Sequence, residues 1–136
     1  FGHCPLLTNP CYASFVENYG KLCLTVNAKQ RSKLLRLFWL TIEFGLITTN
    51  QGTKIYGGGI LSSHSETAYA LESTVAKRLP FNLLDILRTP YRIDIKQPIY
   101  YILDSLSNLY DLLSMNILET VDQAIMLGDF QKSWGE

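Results

Sequence analysis

Apolar residues are spread unevenly along the chain, and the sharpest change of pattern lies between Ala28 and Gly45. The first turns carry Lys29, Arg31 and Lys33; then Leu34, Leu35, Leu37, Phe38, Trp39, Leu40, Ile42 and Phe44 arrive on all sides. A helix that is polar at its start and apolar all round at its end sinks its second half into a core, so one helix is predicted over 28–45. Asn27 precedes it with Gln30 three residues on, the spacing of a capping box. From Leu46 the pattern becomes extended. Leu46–Thr49 and Thr53–Tyr56 flank Asn50-Gln51-Gly52, which predicts a hairpin whose glycine takes positive φ.

The other elements are shorter. After an irregular start marked by Pro5, Asn9 and Pro10, Ala13–Tyr19 reads as a helix closed by Gly20. Ser63-His64-Ser65-Glu66 is a second capping-box pattern, opening a helix through about Leu71. Asn82–Leu87 is a short helix stopped by Thr89-Pro90, and Ile99–Leu103 a buried strand or extended segment. Ser105–Leu113 and Ile117–Leu127 read as amphipathic helices, the last closed by Gly128. There is no internal repeat, low-complexity tract or linker. The expected fold is mainly α with a small β-hairpin component (α+β).

Length and charge narrow the classes. The 136 residues make one domain. Twelve Lys and Arg balance twelve Asp and Glu, which argues against a nucleic-acid partner or a polybasic membrane face. The longest apolar stretch, Leu34–Ile47, is broken by Arg36 and Glu43 and is too short to span a bilayer. No signal-peptide pattern is present, so Cys4, Cys11 and Cys23 are expected as reduced thiols in a cytoplasmic protein. His3 with the three cysteines offers zinc-ligand atom types. There is no C-x-x-C pair, however, and adjacent His3 and Cys4 cannot easily face one metal; small buried hydrophobes are the simpler reading. The chain starts at Phe1 rather than Met, which points to processing or to a longer parent.

One carboxylate stands out. Glu43 has Trp39 and Leu40 a turn before it and Leu46 and Ile47 after it. On such a surface it would be desolvated at a cost of several kcal/mol unless paired. Its partner could be an Arg or Lys, a cluster of backbone amides, or a metal, and a buried ion pair is the ordinary reading. His3 alone is weak evidence for a ligand, and His64 is expected to be solvated. Gly57-Gly58-Gly59 does not fit a phosphate cradle, because Ile60-Leu61-Ser62 intervene before the next helix and no P-loop Lys follows. Glycines there suit close backbone approach, to another segment or to a flat ligand. Ser63 is the expected cap; Ser62 could bond a ligand.

Four segments carry a family resemblance. Phe1-Gly2-His3-Cys4-Pro5-Leu6 resembles the tail of an H-E-x-x-G-H-x-P-L motif. Leu37-Phe38-Trp39-Leu40-Thr41-Ile42-Glu43-Phe44-Gly45-Leu46 is similar to Y-W-x-T-V-E-F-G-L, with Phe38 in place of the Tyr, and Ile55-Tyr56-Gly57-Gly58-Gly59-Ile60-Leu61-Ser62-Ser63 to Y-G-x-G-[IL]-L-S-S. Tyr91-Arg92-Ile93-Asp94 and Gln97-Pro98-Ile99-Tyr100 match a later Q-P-x-Y segment. In this order they resemble the pterin-dependent aromatic amino acid hydroxylases, and in wording most closely the bacterial phenylalanine 4-hydroxylases.

The resemblance implies a 2-His-1-carboxylate site for non-haem Fe(II), with His3 the second His and Glu43 the carboxylate. Trp39, Phe44, Gly59 and Ser62 would line the substrate pocket or buttress the metal site. The implied cofactors are Fe(II) and a tetrahydropterin, and the implied reaction is hydroxylation of L-phenylalanine to L-tyrosine with O₂. The first His of the motif would lie before Phe1, as would most pterin contacts. The implied chain is therefore the C-terminal part of one catalytic domain, expected to be inactive alone. Phe130–Glu136 shows no heptads, so a monomer is expected. The alternative is a non-catalytic helical module that keeps the family's shape only.

Overall fold

The computed structural model describes residues 7–112 and 115–132. Among the described residues seven α-helices run in chain order: α1 Pro10–Cys23, α2 Ala28–Phe38, α3 Gly58–Leu61, α4 His64–Glu72, α5 Leu83–Arg88, α6 Ser107–Asp111 and α7 Ile117–Leu127. A π-helical turn, Trp39–Glu43, continues α2. Four strands, β1 Leu46–Thr49, β2 Gly52–Ile55, β3 Lys77–Pro80 and β4 Ile99–Leu103, form one sheet in the order β2-β1-β4-β3. The β1–β2 hairpin is antiparallel; β4 pairs in parallel with both β1 and β3.

The fold is thus mainly helical with a small sheet, but the sheet extends beyond the expected hairpin. Strand β3 is Lys-Arg-Leu-Pro, without apolar alternation, because it is a mostly exposed edge strand. Charge and proline are what protect such an edge from further pairing. The predicted end of α1 at Gly20 is also corrected. The helix runs on to Cys23, where Leu22 and Cys23 pack against the core and repay the glycine's entropy cost. Gly52 at φ 96° and Gly128 at φ 79° serve as expected. The helix expected over 105–113 is seen as Ser107–Asp111; residue 113 lies outside the described residues.

Two apolar clusters form the core. The larger lies among the helices and includes Tyr12, Phe15, Leu34, Leu37, Ile86, Leu87, Leu109 and Val121. The smaller joins the sheet to α3 and α4 through Leu46, Ile60, Ala70, Ala76 and Tyr100. The π turn bridges them: Trp39 packs on the first, Phe44 on the second.

Candidate active site

The predicted helix over 28–45 does start with a complete capping box, Asn27 with Gln30. Its end differs. The Phe44 N–H donates to Trp39 O at 3.0 Å, a five-residue step, and the Thr41 hydroxyl donates to Leu37 O at 2.5 Å. A hydroxyl that draws on the helix carbonyls favours such a widening, and widened turns recur at functional sites. Leu40, Thr41 and Ile42 are buried, while Glu43 is half-buried rather than fully buried as its apolar setting predicted.

The glycine loop packs directly onto this turn. The N–H groups of Tyr56 and Gly57 both donate to Gly45 O, at 3.2 and 3.0 Å. A Cβ on Gly45 would lie 2.1 Å from Tyr56 Cζ, and one on Gly57 would lie 2.4 Å from Glu43 O. A Cβ on Gly59 would lie 2.9 Å from both Glu43 Oε2 and Phe44 Cε2. None of the three loop glycines has positive φ. They are needed for close approach, and what approaches is the π turn of the same chain. Gly58–Leu61 is itself one helical turn with Ser62 at its C-cap, which corrects the expectation that Ile60, Leu61 and Ser62 merely intervene before a helix.

Trp39, Glu43, Phe44 and Gly59 are therefore brought together. The Trp39 and Phe44 rings lie 4.5 Å apart between centroids, and Tyr91 stacks on Trp39 at 5.2 Å. Ser62 is exposed, and its hydroxyl donates to Gly58 O at 2.7 Å, bracing the turn. Ser63 caps α4 through the Glu66 N–H as expected. The second half of that box is replaced. The Glu66 carboxylate turns inward and accepts from the Tyr100 hydroxyl and the Gln97 N–H. His64 is exposed.

His3 and Cys4 lie outside the described residues. Among the described residues no three His, Cys, Asp or Glu side chains gather around a metal-sized space, and Cys11 and Cys23 are free thiols. Glu43 itself fits a metal-ligand role. It is an anionic oxygen donor at the edge of an aromatic wall, a donor type that suits Fe(II). Two buried phenols lie nearby, Tyr12 and Tyr56, whose hydroxyls have no hydrogen-bond partner among the described residues. Burial and then the Glu43 carboxylate push Tyr12 up to about 12; burial and then Tyr12 push Tyr56 up as well. Both remain protonated donors at neutral pH. Periodicity does not single out either tyrosine, Tyr91 or Gln97, although Tyr56, Tyr91 and Gln97 stand in segments that carry the family resemblance. A cleft of about 240 Å³ between α1 and α7 shares no residue with this group.

Comparison with known proteins decides the family. The family model for biopterin-dependent aromatic amino acid hydroxylases matches residues 1–127. The chain belongs to this family. Among its hydroxylase relatives, the phenylalanine-4-hydroxylase of Vibrio cholerae is 54% identical over 94% of this chain and 44% of its own length. That of Pseudomonas aeruginosa is 52% identical over 94% of this chain and 48% of its own length. The apo structure of the cold-active phenylalanine hydroxylase from Colwellia psychrerythraea superposes with TM-score 0.94 at 52% identity, covering 98% of this chain and 52% of that one. The chain spans about half the length of these hydroxylase relatives. No helix among its described residues is long and apolar enough to cross a membrane.

Proposed function

We propose that the protein containing this chain is an iron- and tetrahydropterin-dependent monooxygenase that converts L-phenylalanine and O₂ to L-tyrosine. The observation that carries this is the convergence of Glu43, Trp39, Phe44 and Gly59 on one π turn and one glycine loop. A Chromobacterium violaceum relative, 42% identical with TM-score 0.89, has been solved with iron and phenylalanine bound; this chain covers 48% of it.

Glu43 together with His3 would hold the iron, which when bound supplies activation of O₂ with the pterin as electron donor. The chain's own residues do the positioning. Trp39 and Phe44 present apolar faces that orient an aromatic ring and exclude water. Gly59 leaves the space beside Glu43 Oε2 open, and Ser62 braces the turn that carries Gly59. The protein's contribution is a dry, shaped pocket and a fixed ligand.

The test is iron content and phenylalanine-dependent tyrosine formation in the full-length gene product, beside Glu43→Gln. A neutral amide in place of the carboxylate is expected to lower iron affinity by at least about tenfold and turnover with it. Iron content equal to wild type would remove Glu43 from the ligand set. Absence of tyrosine from the iron-loaded wild type, with pterin and O₂ supplied, would favour the shape-only module.

A further inference from the structure

The structure assigns Gln97 the role of a positioning residue that fixes the indole of Trp39, and with it the aromatic wall of the substrate site. This rests on the hydroxylase reading above. Gln97 precedes β4 and is 1% exposed. Its side-chain amide is fully committed. Oε1 accepts from Trp39 Nε1–H at 3.3 Å, and Nε2 donates to Arg92 O at 2.8 Å and Ile95 O at 3.4 Å. That set dictates which way the amide points. Flipped, its oxygen would face two carbonyl oxygens and its NH₂ would face an N–H.

The backbone at Gln97 is anchored in turn. Its N–H donates to Glu66 Oε1 at 3.4 Å, the same oxygen that takes the Tyr100 hydroxyl. A polar chain therefore runs from the central strand through Glu66 and Gln97 to the indole edge, and such buried networks rigidify what they touch. Ring contacts with Phe44 and Tyr91 leave an indole free to turn within its own plane; the bond to its N–H removes that freedom. A wall built this way is preorganised before substrate arrives.

The experiment uses the full-length, iron-loaded enzyme and four proteins: Gln97→Met, Gln97→Glu, Trp39→Phe and the Gln97→Met/Trp39→Phe double variant. Met keeps the volume without any of the three hydrogen bonds; Glu, held in its protonated form by the burial of this position, keeps an acceptor for the indole and a donor toward Arg92 O. Gln97→Met is expected to raise KM for phenylalanine about tenfold, the factor matching one hydrogen bond's net worth, with a smaller change in kcat. Gln97→Glu is expected to recover part of the loss. In the Trp39→Phe background, Gln97→Met is expected to add no more than about twofold to KM, because the bond to the indole is already gone and those to Arg92 O and Ile95 O do not touch the aromatic wall.

A second readout needs no turnover. The Trp39 indole N–H resonance, assigned with Trp39→Phe, is expected to move upfield and exchange faster in Gln97→Met and to stay in place in Gln97→Glu. An equal KM effect in both backgrounds, or an indole resonance unmoved by Gln97→Met, overturns the assignment. A wild type that makes no tyrosine sinks the hydroxylase reading, while the indole resonance still decides Gln97. Should Gln97→Met not fold, Gln97→Asn draws the oxygen back by one methylene and carries the same expected directions.

Discussion

Two regions of this molecule are held in opposite ways. The π turn and the glycine loop meet backbone to backbone, with glycines where any Cβ would collide. The chain after α7 is held mainly by side chains, beside one backbone bond from the Phe130 N–H to Arg88 O at 2.9 Å. Asp129 accepts from Lys33 Nζ at 2.5 Å and from Arg36 at 2.7 and 2.8 Å, and Arg88 Nε donates to Gly128 O at 2.7 Å. The Arg88 guanidinium also lies 4.2 Å over the Phe130 ring. The first region has no slack, as a site that must hold a ligand to a fraction of an ångström requires. The second sets one half-exposed carboxylate against two largely covered cations and need only keep a tail in place.

Gly45→Ala should separate the two regions most clearly. The new Cβ would meet the buried Tyr56 ring and the Thr41 carbonyl, 2.4 Å away, and neither can yield easily. A loss of about 2–3 kcal/mol is expected, seen as a lower urea midpoint at unchanged slope. An unchanged midpoint would show that the contact has slack after all. Gly59→Ala sharpens the point, because its two closest clashes are with side-chain atoms of Glu43 and Phe44, and the backbone Glu43 O stands at 3.0 Å. Stability should fall by no more than about 1 kcal/mol, while the displaced Glu43 carboxylate weakens iron binding and raises KM for phenylalanine. Iron titration and kinetics on the full-length protein would check it.

In the tail, Asp129→Asn is expected to cost about 1 kcal/mol at neutral pH, since its carboxylate is 41% exposed and solvent screens the pairs. The Arg36 hydrogen bond first, with Lys33 assisting, holds the Asp129 carboxyl down at about 2. A lowered folded-state value means the stabilisation is complete above the ordinary carboxylate range. It is then lost as pH falls from there through about 2. The gap in urea midpoint between wild type and Asp129→Asn should therefore close over that interval; a gap that persists at the acid end would mean that packing, not charge, holds the tail. The smallest effect belongs to Gly20→Ala. Gly20 sits in the last turn of α1 with nothing within 4 Å of its Cβ position and without positive φ, so a gain of about 0.5–1 kcal/mol in thermal unfolding is expected.

Much of this was legible in the chain because the signals were local. The Asn27–Gln30 box, the Gly52 turn, β4 and α7 each announce themselves within a dozen residues. Glu43 was legible as a chemical misfit on an apolar surface. What escaped depended on distant partners. The widened turn at 39–43 follows from a hydroxyl drawing on a helix carbonyl and a loop packing against it. Glu66 looks like a capping residue until Tyr100 and Gln97 draw it inward. Strand β3 has no pattern of its own because β4 supplies its pairing.

The parallel pairing of β4 has a consequence for how the chain reaches its native state. The β1–β2 hairpin can close by itself within microseconds, but Leu46 finds Ile102, and Lys77 finds Ile99, only after long stretches of chain have been brought back. Such distant closures are entropically late events. Gln97 enters with β4, so the indole of Trp39 acquires its hydrogen bond only when that strand docks. Tryptophan fluorescence from residue 39 would then follow strand docking rather than helix formation, and give a clock for the last step of assembly.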